Sequence, residues 1–266
     1  MRFALPLLSL VALAGGAYFF FGSMPPSEPD VTCTAEHRTT AVFVDRSASA
    51  AADVETRALY ATTLRGIIDE TLACEGDAVK TFLVHRETDG KAYADRFTSR
   101  VAPVDLGELS SGSALTAKSS YSLRIGQERQ NALRRALYVA DSTVLPRELQ
   151  MHTDLLGMLS VVREELPAGE MTQRRMVVLS DLNESMIGPG RRDFDVRPPS
   201  TSAEAAQWAA ADVALVQSVY RVQPTVLAGV EVIPVLGTLA SKPAATEVKA
   251  YWEALWGALG ATEIRW

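Results

Sequence analysis

The sequence predicts an α/β fold: a three-layer α/β/α sandwich with a mostly parallel sheet and one antiparallel edge strand. Three observations predict it. Short apolar runs rich in β-branched residues alternate with stretches of helical spacing, the pattern of parallel strands joined by crossover helices. Two of the runs end on an acid, Asp45 and Asp181, at the strand ends where ligands of such sheets bind. The 266 residues are 47% hydrophobic and 22% charged, an ordinary globular composition with room for one domain of about 200–250 residues.

Each element has its own signal. Thr39–Asp45 (TTAVFVD) reads as a buried strand. From Ala51 to Ala73, Val54, Ala58, Leu59, Leu64, Ile67, Ile68 and Leu72 recur at helical spacing. Asp77–His85 reads as a second strand. Thr88-Asp89-Gly90-Lys91 is a turn signal, after which Ala92–Val104 suits a returning antiparallel strand. The Ser- and Gly-rich stretch 105–120 reads as a loop, and Tyr121–Ala140 as a helix with arginines on its polar side. Thr153–Leu166 reads as a helix that Thr153 opens and Pro167-Ala168-Gly169 ends. Met176–Ser180 is a buried strand; 185–202, with its glycines and prolines, is a surface loop. Ala203–Tyr220 is a helix, Val230–Val235 a strand, and Ala244–Leu259 the last helix, with Trp252 and Trp256 on its core side.

The N-terminus places the chain in a compartment. Residues 3–22 are an uncharged run of 20 residues, the length that crosses a hydrocarbon core of roughly 30 Å. Arg2 precedes it, and Glu28 and Asp30 follow. This charge bias holds the N-terminus in the cytoplasm and exports the rest. The domain plan is therefore a signal anchor at 1–22, a Pro-rich linker at 23–37, and a domain at 38–266 with an inserted helical segment around 105–150. The location is the bacterial inner membrane with the domain in the periplasm. The alternative is a signal peptide cleaved after Ala12-Leu13-Ala14, which leaves a secreted or periplasmic chain. Export permits a disulfide between Cys33 and Cys74, the two cysteines; two free thiols are the alternative.

The charge balance, 26 Lys+Arg against 32 Asp+Glu, gives a net −6, the reverse of a dedicated nucleic-acid binder. With three histidines, no HExxH pattern occurs, nor does a P-loop or a G-x-S-x-G elbow. The local feature that stands out is Asp45-Arg46-Ser47-Ala48-Ser49 directly after a buried strand. Its alternation aims three short oxygen-bearing side chains at one point above the sheet edge. Helix capping is the bland use of the same residues.

Thr153 within HTDLLGMLSVV and Asp181 within MVVLSDLNES complete a set. Asp45, Ser47, Ser49, Thr153 and Asp181, in this order, resemble the metal-ion-dependent adhesion site of von Willebrand factor A (vWA) domains. The resemblance spans most of residues 38–262 and includes VEVIPVLG and WEALWGALGA as the last strand and helix. The gap from Ser49 to Thr153 is longer than the family's usual one. The resemblance implies a divalent cation held by Ser47, Ser49 and one of Thr153 or Asp181, with the other acids acting through water. Hydroxyls and carboxylates are hard donors that suit Mg²⁺, Mn²⁺ or Ca²⁺. Two carboxylates under-neutralise a dication and leave it open to an acid from outside. Arg46 and Glu184 are candidate partner contacts, with plain solvated positions as the alternative.

The expected function is a non-enzymatic, membrane-tethered module that binds a protein partner through its Asp or Glu carboxylate, as a scaffold or assembly factor of an envelope complex. A metal-assisted hydrolase at the same edge, and a structural domain with a vestigial metal site, are the competing expectations.

Overall fold

The computed structural model describes residues 33, 36–46, 54–88, 97–102, 111–141, 147–168, 172–237 and 244–266. Ser47, Ser49, the apolar run 3–22 and the linker up to residue 32 lie outside these. Among the described residues, no helix is long and apolar enough to cross a membrane.

The elements run β1 (His37–Asp45), α1 (Val54–Thr71), β2 (Ala78–Val84), β3 (Phe97–Arg100), α2 (Ser111–Asp141), α3 (Arg147–Gln150), α4 (Met158–Glu165), β4 (Thr172–Ser180), α5 (Ser202–Val219), β5 (Val230–Leu236), α6 (Ala245–Ala258) and β6 (Glu263–Ile264). The six strands form one sheet in the order β3-β2-β1-β4-β5-β6. All pairs are parallel except β2 with β3. The α/β class, the mostly parallel sheet and the antiparallel edge strand thus stand as the sequence indicates.

Side-chain alternation along β1 divides the core in two. Ala41 and Phe43 face α4, α5 and α6, with Met176, Val178, Trp252 and Trp256. Val42 and Val44 face α1 and α2, with Leu64, Ile68, Ile125, Ala136 and Val177. Burial on both sides of the sheet makes such a strand apolar throughout, which is why Ala41–Val44 carries no polar residue and the buried Thr40 hydroxyl is paired with that of Thr71 at 2.7 Å. The disulfide Cys33–Cys74 is present, with a sequence separation of 41. It ties the chain before β1 to the end of α1 and stabilises the fold by about 4 kcal/mol in the chain-entropy account.

Three expectations need correction. The stretch 105–120 is not wholly loop, because α2 begins at Ser111. Once its apolar second half has nucleated a helix against the sheet, each further serine or alanine costs little to add. Thr153 does not open a helix: it forms an isolated antiparallel bridge with Ser185, and α4 starts at Met158. Asp154 diverts the chain, since its Oδ1 accepts the Gly157 N–H at 3.0 Å, a local bond that competes with helical pairing. The last helix does not end the fold, since two further residues pair with β5 as β6.

The strand order fixes where a ligand site belongs. β2 lies on one side of β1 and β4 on the other. The chain therefore leaves β1 and β4 in opposite directions, and at such a switch point sheets of this kind have their binding crevice at the carboxyl ends.

Candidate functional site

Asp45 and Asp181 both sit at that crevice. Asp45 ends β1 and is 4% exposed; its Oδ2 accepts a hydrogen bond from the Ser180 hydroxyl at 2.5 Å. Ser180 Oγ in turn accepts the Leu182 N–H at 2.9 Å, so its proton is directed at Asp45. Asp181, 1% exposed, accepts the Asn183 N–H at 3.1 Å. Between them the backbone turns hard: Leu182 has φ 55°, and its carbonyl takes the Trp252 indole N–H at 2.8 Å. A left-handed leucine is held there only because its surroundings fix it.

Thr153 reaches the same edge from the other side. Its N–H bonds the Ser185 carbonyl at 3.3 Å, its carbonyl accepts the Ser185 N–H at 3.0 Å, and the next N–H, of Asp154, bonds the His85 carbonyl at 3.1 Å. His85 directly follows β2, whose last residue Val84 is in register with Asp45. Thr153 is thereby wedged between the ends of β2 and β4. His152 stays beside it, with Nδ1 3.1 Å from the Ser185 carbonyl.

Tyr60 of α1 closes the crevice from the opposite face of the sheet. Burial raises the pKa of its hydroxyl, and the charges of Asp45 and Asp181 raise it further. One phenol thus senses both carboxylates. Gly237, just beyond β5, lets the chain pass close: a Cβ there would lie 2.4 Å from Thr56 Cγ2 and 3.0 Å from the Tyr60 hydroxyl.

The donors fit a hard cation by one observation. The Thr153 hydroxyl is fully buried, and among the described residues nothing hydrogen-bonds it. Leaving a buried hydroxyl unmet costs about 1–3 kcal/mol, so the Thr153 hydroxyl has room for a partner that the described residues do not supply. Among the described residues no cluster of three or more His, Cys, Asp or Glu could hold a metal. Any ion here relies on two carboxylates and on hydroxyls, the set that also includes Ser47 and Ser49, outside the described residues. Arg46 is half-buried, and its N–H bonds the Val84 carbonyl at 3.2 Å.

Glu184 is corrected outright. It is neither a solvated loop acid nor open to a partner, because its side chain is 0% exposed. Its Oε2 accepts the N–H groups of Leu155 and Leu156 at 2.8 and 3.2 Å, and its Oε1 pairs with Arg191 at 3.0 Å. Arg191 also reaches Asp154 at 2.7 Å and the Tyr220 hydroxyl, which donates to Asp154 at 2.5 Å. Burial raises the Glu184 pKa well above the carboxylate range, and the charge of Asp154 adds to it. Burial also raises the Asp154 pKa, against the pull of Arg191. For Arg191, burial opposes the charge, yet Glu184 and Asp154 hold it above its ordinary value.

This network was not legible in the sequence. Its members lie far apart along the chain, and Arg191 sits in a loop whose Gly188 and Gly190 signal only a turn. Its effect is positional: it clamps the segment after Thr153 to the segment after Asp181. The 185–202 stretch is irregular as expected but firmly tied, since Arg192 grips Asp212 at 2.9 and 3.0 Å. Ser180, the residue that orients Asp45, does carry a signal, being a polar residue at the end of an apolar strand.

No family model matches the chain, and no curated protein matches it either.

Proposed function

We propose that this chain is a vWA-like binding module that holds Mg²⁺, or Mn²⁺ or Ca²⁺, at the carboxyl edge of its sheet and captures a protein partner there. Asp45, Ser47, Ser49, Thr153 and Asp181 hold the ion. The bound dication supplies positive charge that two carboxylates do not cancel, and an Asp or Glu of the partner completes the balance. Ser180 aims Asp45, and the Glu184–Arg191–Asp154 clamp sets Thr153 at its height. The run 3–22 anchors the chain in a bacterial inner membrane with the domain in the periplasm, and the role is scaffolding or assembly within an envelope complex rather than catalysis.

The observation that carries this reading is the buried Thr153 hydroxyl, unmet among the described residues, at the edge where Asp45 and Asp181 end their strands. The test is capture of partners by the full chain from detergent-solubilised membranes in Mg²⁺ and in EDTA. A partner retained in Mg²⁺ and released by EDTA is expected. The same partners retained in both media contradict the proposal.

A further inference from the structure

The outward side of α2 differs in charge from the chain as a whole. Between residues 119 and 139 it carries Arg124, Arg129, Arg134 and Arg135 against one acid, Glu128, in a chain of net charge −6. Arg129 is turned inward: it is 8% exposed, and its Nε donates to the Leu72 carbonyl at 2.9 Å. Arg124, Arg134 and Arg135 are exposed, and among the described residues no ion pair holds them. Arg135 bonds the Thr98 carbonyl at 3.0 Å and Arg134 the Asn131 side chain at 2.7 Å. Both bonds leave the positive charge in place.

Spacing puts Leu123, Gln127, Gln130, Arg134 and Tyr138 on one stripe, about 22 Å long at 1.5 Å per residue, with Arg124 and Arg135 along one edge of it. Its two ends are apolar and exposed, Leu123 at 64% and Tyr138 at 56%. The inward side, Ile125, Ala132, Leu133, Ala136 and Val139, is core. This pattern of arginines flanked by an aliphatic and an aromatic residue suits the headgroup level of a bilayer.

The second observation is where the N-terminal chain joins the fold. Cys33 is bonded to Cys74, just past α1, and the neighbouring residues touch α2: Arg129 bonds Leu72, and Tyr121 bonds the backbone of Glu75. The junction therefore lies against the middle of α2. Residues 23–32 separate it from the apolar run, a span of at most roughly 36 Å fully extended. A tether this short keeps the stripe at high effective concentration beside the membrane.

We propose that the outer stripe of α2 docks onto anionic phospholipid headgroups next to the chain's own anchor. The docking rests on the reading of residues 3–22 as that anchor, and the experiment separates the two. Both native cysteines are in the disulfide, so Gln130→Cys gives one thiol for a fluorophore on the full chain. Vesicles are phosphatidylcholine alone, or the same with about one-third phosphatidylglycerol, and both carry a headgroup nitroxide quencher. Flotation with pure phosphatidylcholine reports the anchor. Extra quenching with phosphatidylglycerol, reversed by high salt, reports the docking.

Arg124→Glu with Arg134→Glu is expected to weaken that extra quenching by at least roughly 30-fold, from about fivefold per arginine, with flotation unchanged. Flotation without phosphatidylglycerol-dependent quenching overturns the docking alone. Salt-sensitive flotation that requires phosphatidylglycerol and is lost in the double variant overturns the anchor and upholds the docking. No association with either vesicle overturns both.

Discussion

Asp45→Ala is expected to remove Mg²⁺ and Mn²⁺ binding from a domain that stays folded. The loss should exceed the roughly 10- to 100-fold that follows removal of an outer-shell partner, because half of the described carboxylate charge at the crevice goes with it. Folding survives for a calculable reason. Asp45 ends a strand whose other residues stay packed on both faces of the sheet. Its removal strands the Ser180 proton, now donated to Asp45 at 2.5 Å, at a cost of about 1–3 kcal/mol. That lies within the 5–15 kcal/mol typical of a domain. Adding Ser180→Ala removes the stranded proton but leaves the Leu182 N–H without its acceptor, so it should restore neither the full stability nor metal binding. Calorimetric titration with each metal, paired with urea unfolding, reads the two effects separately. Undiminished metal binding in Asp45→Ala refutes the site.

Arg191→Ala carries the largest expected loss of stability, about 3–5 kcal/mol, the usual result of leaving buried charges without their partner. Glu184 and Asp154 are 0% and 3% exposed and share this one guanidinium at 3.0 and 2.7 Å. Without it, two carboxyls face each other in a dry interior, and burial with mutual repulsion drives their pKa values higher still. The pair then has to take up a proton, so the variant loses stability more steeply as pH rises through the raised folded-state pKa values. Arg191→Met combined with Glu184→Gln and Asp154→Asn should return much of the loss, because no unpaired charge remains. Urea unfolding measures all three effects. A loss below about 1 kcal/mol, the size of a surface pair, contradicts the assignment of Arg191 as the clamp.

The parts of the fold legible in the sequence were those that physics writes locally. TTAVFVD and MVVLS announce strands because a position buried on both faces tolerates only apolar, mostly β-branched residues. β4 begins earlier, at Thr172, than its apolar run suggests. Its first half is polar because Arg174 and Arg175 reach outward to the Ala228 carbonyl and to Glu70 and Glu231. The start of α4 was misread because Thr and Asp before an apolar stretch signal a helix cap. Here the threonine instead pairs with Ser185, a partner that no local rule names.

The same contrast holds at the candidate site. Asp45 and Asp181 were readable as acids at strand ends, and the strand order then placed them together. The clamp behind Thr153 was not readable, since Glu184 looks from the sequence like any polar loop residue. Only its depth in the fold gives it a role.

A hard dication bound at this edge would draw on the Thr153 hydroxyl as well as the two acids. Thr153→Val, titrated calorimetrically with Mg²⁺ beside the unaltered chain, tests it most directly. Valine keeps the shape and removes a hydroxyl that nothing in the described protein bonds. Stability should therefore hold or rise, while Mg²⁺ affinity should fall by at least roughly tenfold. Equal affinity in the two proteins, or no binding to the unaltered chain at millimolar Mg²⁺, contradicts a metal site that includes Thr153.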